Sequence, residues 1–476
     1  MIYLSAVLSA TTGWLLLAVF GVAWIALGMY WGRRAKDLDG FMLAGRNVGL
    51  ALGTATAMAT WVTSNTIMLA PKFALQMGIW GMLAYSTAAF GLFLFAPMAR
   101  RIHQLMPKGY TSGDFIRLRY GKVAWVIFLL ISLVYSMAWL VSMGMAGGIV
   151  LKALAGIPYA YGMTVILTVC VIYTLFGGLY AVIGTDFIQS VIILVGVVVV
   201  GAVVMWRTDL AVIHRDLAAH QPALLDVLMP VALLSLFNNL FFGFGEVFHN
   251  NVWWSRALAM RRSVAPKAFL LSGLLWLPIP IAAGFIALAS HAVGINVTDP
   301  DMVGPLVAGQ LLGQAGAVVV FVVVFCSLAS SIDSLLAATA DLVTEDVYRK
   351  MIRPGASEAR VRRLSAFLIV ALGVVTWLIC LPRLGDLIQV LFLSGPLVGS
   401  AIWPVITGLY WKRTSPAGAV AAMVGGSGVG LYAYFTWGWF TASLVATAAS
   451  AVVVCVVTVV APRDFDWQVL NERHAP

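Results

Sequence analysis

Residues 327–334 read Ser-Leu-Ala-Ser-Ser-Ile-Asp-Ser and interrupt a long apolar stretch. Nearly every residue from 315 to 329 is apolar, and more apolar chain follows. Four hydroxyls and a carboxylate are therefore expected deep in a bilayer. An ionisable group there costs about 2.5–3.5 kcal/mol on insertion scales, so it calls for a partner and a task. A small hard cation suits such a cluster of oxygens. On a helix of about 3.6 residues per turn, Ser327, Ser330, Ser331 and Ser334 share one face. Asp333 stands roughly 60° to one side of Ser330, and Asp341 returns to the face. The same serines could instead bond back to the preceding turn or let helices approach closely.

Two other stretches mix polar and apolar residues. The first runs Trp61-Val62-Thr63-Ser64-Asn65-Thr66 and continues to Pro71 and Lys72. The second holds Asn238, Asn239 and then Gly243-Phe244-Gly245-Glu246. Proline, glycine and polar runs inside apolar spans imply unwound segments, which expose carbonyls and helix ends at the midplane. Two broken helices five spans apart fit an inverted-repeat transporter. Glu246 either faces a solute bearing N–H donors or a cationic nitrogen, or pairs with Lys72 across the two breaks. Lys72 could also face a solute carboxylate. His249 reads as a satisfied polar residue at a membrane edge, and Trp253 and Trp254 as interfacial anchors.

The elements that must position these groups are membrane helices. The chain of 476 residues is 62% hydrophobic and 10% charged, against about 25% charged for a soluble protein. Thirteen apolar segments are long enough to span: 12–32, 47–78, 80–99, 122–151, 158–176, 178–205, 227–248, 266–292, 308–345, 362–382, 386–411, 416–436 and 441–461. With the N-terminus outside, the inner loops take 24 of the 29 basic residues, a strong positive-inside signal. The net charge of +10 is thus a topology device, and no nucleic-acid role is expected. The first helix reads as retained, since its basic residues, Arg33 and Arg34, follow it. No soluble domain and no obligate protein partner are evident. Cys170, Cys326, Cys380 and Cys455 all fall in apolar spans and read as small buried side chains. The triplet Asn296-Val297-Thr298 matches a glycosylation acceptor by chance.

The chain resembles the sodium:solute symporter family. The stretch Gly177-Gly178-Leu179-Tyr180-Ala181-Val182-Ile183-Gly184-Thr185-Asp186-Phe187-Ile188-Gln189 is similar to that family's signature G-G-L-x-A-V-x-x-T-D-x-x-Q. Four further stretches follow the family order: Asp39 to Arg46; Thr111-Ser112-Gly113-Asp114 with Arg119-Tyr120-Gly121; Ser330-Ser331 with Thr344 to Tyr348; and Gly408 to Arg413 with Pro416-Ala417-Gly418. The departure lies at 249–256, where many members have D-Q-x-x-x-Q-R. Here Asn250, Asn251 and Ser255 differ and Arg256 is kept.

The resemblance implies an all-α polytopic bundle of about 13 transmembrane helices, with inverted five-helix repeats at 47–205 and 227–411. Helix 12–32 would lead and 416–461 would trail. It implies a multi-pass protein of the inner or plasma membrane, N-terminus outside and C-terminus cytoplasmic. The coupling ion would be sodium (Na+), held by the carbonyls of Ala59, Val62 and Ser327 and the hydroxyls of Ser330 and Ser331. A candidate second cation site would use Asp186, Asp333, Ser330 and Ser334. Thr66, Tyr85, Ala88, Gly243, Glu246, Asn251 and Gln389 would surround the solute. The function expected is sodium-coupled symport of a small polar organic solute, such as a urea-like amide, an amine or an amino acid, by alternating access. The alternatives are a proton-coupled symporter of the same fold, with Asp333 or Glu246 titrating, and a solute sensor without transport. No enzyme is expected, since no zinc-type or serine–histidine cluster lies within a span.

Overall fold

A computed structural model describes residues 6–292, 294–295 and 299–471. The triplet at 296–298 lies outside the described residues. The described chain is built of helices, with one isolated parallel bridge between Val48 and Met260.

The leading helix α1 (Ala10–Gly32) is followed by the short α2 (Leu38–Leu43). Next come α3 (Leu50–Trp61), α4 (Ser64–Ser86) and α5 (Ala89–Leu105). A short α6 (Ser112–Tyr120) precedes α7 (Lys122–Ala155), α8 (Tyr159–Thr174) and α9 (Gly178–Arg207). The second half holds α10 (Leu210–His220), α11 (Pro230–His249), α12 (Asn251–Ala259), α13 (Ala265–Trp276) and α14 (Pro278–Leu288). It continues through α15 (Val303–Leu342), α16 (Glu358–Cys380), α17 (Leu387–Phe392) and α18 (Gly395–Tyr410), and closes with α19 (Pro416–Trp437) and α20 (Trp439–Val460).

Eleven helical stretches among the described residues are long and apolar enough to cross a membrane. The expected spans 47–78 and 80–99 are drawn differently. The chain breaks after Trp61, and the stretch Ser64–Leu105 runs on as one. Tyr159–Thr174 is apolar but shorter. Within α4, Gly78 takes φ 61° and ψ −142°, a backbone state glycine tolerates best. No side chain would fit there either, because a Cβ would lie 1.7 Å from the Leu224 carbonyl oxygen.

Helix α15 runs through the middle of the bundle, contacted by α3, α4, α7, α8, α9, α12 and α16. The polar residues of its 327–341 stretch are therefore enclosed by protein. Ser327, Ser330, Ser331, Asp333 and Ser334 are all buried.

Two expectations change here. The second span interruption does not fall at 238–246: α11 is helical throughout, and the chain departs from helix at Asn250 (φ −72°, ψ 132°). The glycines of α11 serve close packing instead. A Cβ on Gly243 would lie 2.7 Å from the Ala88 Cα, and one on Gly245 2.5 Å from the Val398 carbonyl. Nor do Trp253 and Trp254 sit at an interface. Both are among the largest fully buried side chains. Trp253 meets Trp61 edge-on, with centroids 4.9 Å apart, and Trp254 donates Nε1–H to the Phe248 carbonyl at 2.7 Å.

Candidate functional site

The break between α3 and α4 follows from local chemistry. Thr63 caps α4 in a capping box: its Oγ1 accepts the Thr66 N–H at 3.2 Å, and Thr66 Oγ1 accepts the Thr63 N–H at 3.2 Å. Val62 leaves the helical region at ψ 84°. The Thr63 N–H is thereby turned away from the carbonyls at the end of α3, which need other donors. Ser330 Oγ donates to the Ala59 carbonyl at 3.0 Å, and Ser331 Oγ donates to that of Thr60 at 3.1 Å. The Trp61 carbonyl accepts Trp276 Nε1–H at 2.6 Å and the Thr66 hydroxyl at 3.3 Å. Ser330 and Ser331 also reach the Ser327 carbonyl, at 3.2 and 2.9 Å.

Ala59, Ser327, Ser330 and Ser331 thus form one connected cluster of neutral oxygens, with Val62 at the break beside it. Neutral carbonyl and hydroxyl oxygens suit a hard monovalent cation that must also leave. Thr66 has a different part from the one expected. Its hydroxyl is bonded into the cap and holds the break, and Thr66 does not line the cavity beside it.

Two of the residues expected at the second cation site, Asp186 and Ser334, are bonded by a side chain, that of Arg256. Arg256, on α12, is fully buried. Its Nη2 donates to Ser334 Oγ at 2.6 Å, Thr60 Oγ1 at 2.7 Å and Asp186 Oδ2 at 3.3 Å, and its Nε donates to Thr56 Oγ1 at 3.1 Å. Asp186 also accepts the Thr56 hydroxyl at 2.6 Å. The guanidinium thus places a fixed positive charge beside Asp186, between α3, α9 and α15. Asp333 stands apart: Oδ1 accepts the Ser334 hydroxyl at 3.2 Å, and the carboxylate neighbours Tyr173, whose hydroxyl donates to the Ala329 carbonyl at 2.6 Å.

Next to the break lies a cavity of about 30 Å³, walled by Trp61, Tyr85, Trp139, Phe242, Trp276 and Phe392. Its polar lining comes from Thr63, Asn65, Asn239 and Glu246. Glu246 is buried beside the Tyr135 hydroxyl, and among the described residues no lysine, arginine or histidine lies in ion-pair range of it. Of the expected solute residues, Tyr85, Ala88 and Glu246 line this cavity.

Others do not. Asn251 sits deeper, where its Nδ2 donates to the Ala338 carbonyl at 3.0 Å and its Oδ1 accepts the Ser112 N–H at 3.1 Å. It braces α12 against α6 and α15. The Gln389 side chain is exposed, and Leu391 and Phe392 from the same helix reach the cavity in its place. Lys72 does not meet Glu246. Its Nζ lies 2.9 Å from Asp301 and 3.2 Å from Asp386, and Arg383 adds a 2.8 Å bond to Asp299. This network joins α4 to the starts of α15 and α17. His249 is buried, with Nδ1 2.5 Å from the Gly245 carbonyl and its ring edge-on to Tyr135.

Sequence reasoning missed Arg256 as a site residue, and with it Asn65, Asn239 and the tryptophan walls. One signal was present: apart from Ser255, Arg256 is the one polar residue in the run Val252 to Met260.

The opposite end carries the basic loops. Thr111 donates to Asp346 Oδ2 at 2.6 Å, Lys350 bonds Asp114 and lies 3.0 Å from Asp346, and Trp125 Nε1–H donates to Asp346 at 3.1 Å. Burial alone would raise the Asp114 pKa. The Lys350 ammonium and the Tyr110 N–H outweigh it and hold the carboxyl below its usual range.

Comparison with known proteins places the chain in a family. Residues 41–426 match the model of the sodium:solute symporter family. The chain is 28% identical to the urea-proton symporter DUR3 of Oryza sativa subsp. japonica over 83% of its own length and 60% of the relative's. It is 27% identical to the osmoregulated proline transporter OpuE of Bacillus subtilis (strain 168), over 86% of each chain. It is 25% identical to the urea active transporter of Saccharomyces cerevisiae over 91% of this chain and 66% of that one. The chain therefore spans less than two thirds of the two urea transporters it matches. In structure it is similar to a Na+-coupled sialic acid symporter in a substrate-bound outward-open state. The TM-score is 0.78 at 16% identity, covering 95% of this chain and 99% of that one.

Proposed function

The chain belongs to the sodium:solute symporter family, and from that premise we propose that it couples sodium entry to uptake of a small, N–H-rich neutral solute of the urea type. It is a multi-pass membrane transporter and a solute symporter, as are its relatives, and not an enzyme. The observation that carries the solute reading is Glu246. A buried carboxylate needs donors or a cation, and the aromatic cavity around it supplies no cationic side chain. A planar solute with several N–H groups would bond the carboxylate while its faces lie on Trp61, Trp139 and Trp276. Two relatives are named for urea.

Sodium would bind at Ala59, Val62, Ser327, Ser330 and Ser331 and draw α3 and α15 together beside the cavity wall at Trp61. Coupling is thermodynamic: the ion must favour the state in which the solute fits. One mobile ion per cycle would follow, since Arg256 already bonds Asp186 and Ser334 of the candidate second site. The inverted repeats would be 47–205 and 227–411, working by alternating access. The basic loops would face the cytoplasm, with the N-terminus outside.

Proton coupling has one specific observation in its favour. Asp186 and Asp333 outnumber Arg256 by one charge, and the single Tyr173 proton is given to Ala329, so a proton on Asp333 would balance both charge and hydrogen bonding. The deciding experiment is uptake of labelled urea, methylammonium and proline into proteoliposomes under an imposed sodium or proton gradient. Urea accumulation that requires sodium supports the reading; accumulation with a proton gradient alone, or of proline only, overturns it.

A further inference from the structure

On the face of the bundle that carries the Lys72–Asp301 network, three ligand-type side chains meet that have no part in the solute or sodium sites. Asp216 and His220 are four residues apart on α10, a spacing that puts both on one side of a helix. Ile213 and Leu217 are buried and fix how that helix lies. His291 arrives from the turn after α14, which is held by the Gly294 N–H on the His291 carbonyl at 2.9 Å and the Ile295 N–H on that of Ser290 at 2.9 Å. Asp216 Oδ1 lies 3.0 Å from His220 Nδ1, and Asp216 Oδ2 lies 2.7 Å from His291 Nδ1. The two imidazole rings are 4.8 Å apart, centroid to centroid. One donor atom from each residue falls within 4.8 Å of the other two.

From this we propose a divalent transition-metal site, of zinc type, made by Asp216, His220 and His291. The chemistry selects the ion. Two imidazoles and one carboxylate suit zinc and its neighbours, whereas magnesium and calcium take oxygen ligands. Neutral imidazoles leave the site with one negative charge, which favours a cation. Three protein ligands leave a coordination position for water, and the rings are about half exposed (side chains 58% and 49%), so the ion can enter and leave. The separations of 2.7–3.0 Å already place the donors close enough that small side-chain rotations would bring them round one ion.

The position gives the site a consequence. Segment 210–228 lies across the bend of α4: Leu224 fits against Gly78, and Trp80 Nε1–H donates to the Val227 carbonyl at 2.6 Å. His291 precedes Asp299 and Asp301, which take Arg383 and Lys72. A metal held between them staples the α10 segment to the loop that locks α4. Bound metal therefore holds this face closed and slows transport, whatever the solute.

The test uses the full-length protein, freed of any polyhistidine tag and reconstituted, titrated with zinc chloride by calorimetry alongside uptake assays. One zinc per chain should bind saturably and slow uptake several-fold, with reversal by EDTA. His220→Ala and His291→Ala should each weaken binding at least tenfold and abolish the inhibition, while uptake without zinc is unchanged. Absence of saturable binding, or binding that survives both substitutions, overturns the site. Binding lost in both variants with uptake insensitive to zinc overturns the staple.

Discussion

The Ser330 hydroxyl donates to the Ala59 carbonyl at 3.0 Å, joining residues 271 positions apart in the chain. The contact exists because two local events coincide: the Thr63–Thr66 cap frees the carbonyls at the end of α3, and the buried face of α15 offers hydroxyls to them. In the sodium site proposed above, these carbonyl and hydroxyl oxygens would turn to the ion as its ligands. Ser330→Ala and Ser331→Ala should each raise the sodium concentration for half-maximal uptake by about tenfold, roughly 1.4 kcal/mol. Sodium titration of uptake at saturating solute checks this; an unchanged sodium dependence removes the site.

Arg256 and Asp186 should behave as one unit. Removing one partner of a buried pair leaves an uncompensated charge and costs about 3–5 kcal/mol, while removing both costs less. Arg256→Gln and Asp186→Asn are each expected to lower thermal stability and transport strongly, and the double variant to recover part of both. A double-mutant cycle on melting temperature reads the coupling. In the wild type, flux measurements should give one sodium per solute.

Glu246→Gln keeps the size of the side chain and removes its charge. It should raise the solute KM at least tenfold while leaving sodium half-saturation within about twofold. Uptake kinetics at fixed sodium separate the two. Lys72→Met, by contrast, should leave solute affinity almost untouched. It removes the contacts of Lys72 with Asp301 and Asp386 and loosens the network there, so a cysteine placed in the cavity wall at Ala88 should become more reactive to a membrane-impermeant reagent.

At the basic pole, Asp114 titrates below the usual carboxylate range in the folded protein. The sign follows: a depressed carboxyl contributes stability at neutral pH, and that contribution is lost as pH falls from about 5 through the folded value. Asp114→Asn should therefore lower the melting temperature at pH 7 and flatten its fall between pH 5 and pH 3. Equal slopes for wild type and variant would show that the Lys350 pair contributes nothing.

Much was legible from the sequence because it is local or periodic. Apolar length gave the spans, the serine spacing gave a polar face on one helix, and Pro71 with the threonine-rich run marked a break near Val62. The motif order gave the family, and with it the pairing of Ser330 with Ala59. What the tertiary structure alone decided concerns partners distant in sequence. Glycine and asparagine in α11 looked like an unwinding signal, but Gly243 and Gly245 are small because Ala88 and Val398 press on them. Lys72 was matched with Glu246 or a solute carboxylate, and only packing put Asp301 and Asp386 beside it. Arg256 read as one more inner-loop charge until α12 folded inward and carried it to Asp186. Spacing along a helix fixes which residues share a face; which charge meets which across hundreds of residues is settled by how the helices pack, since burial makes an unpaired charge too costly to leave.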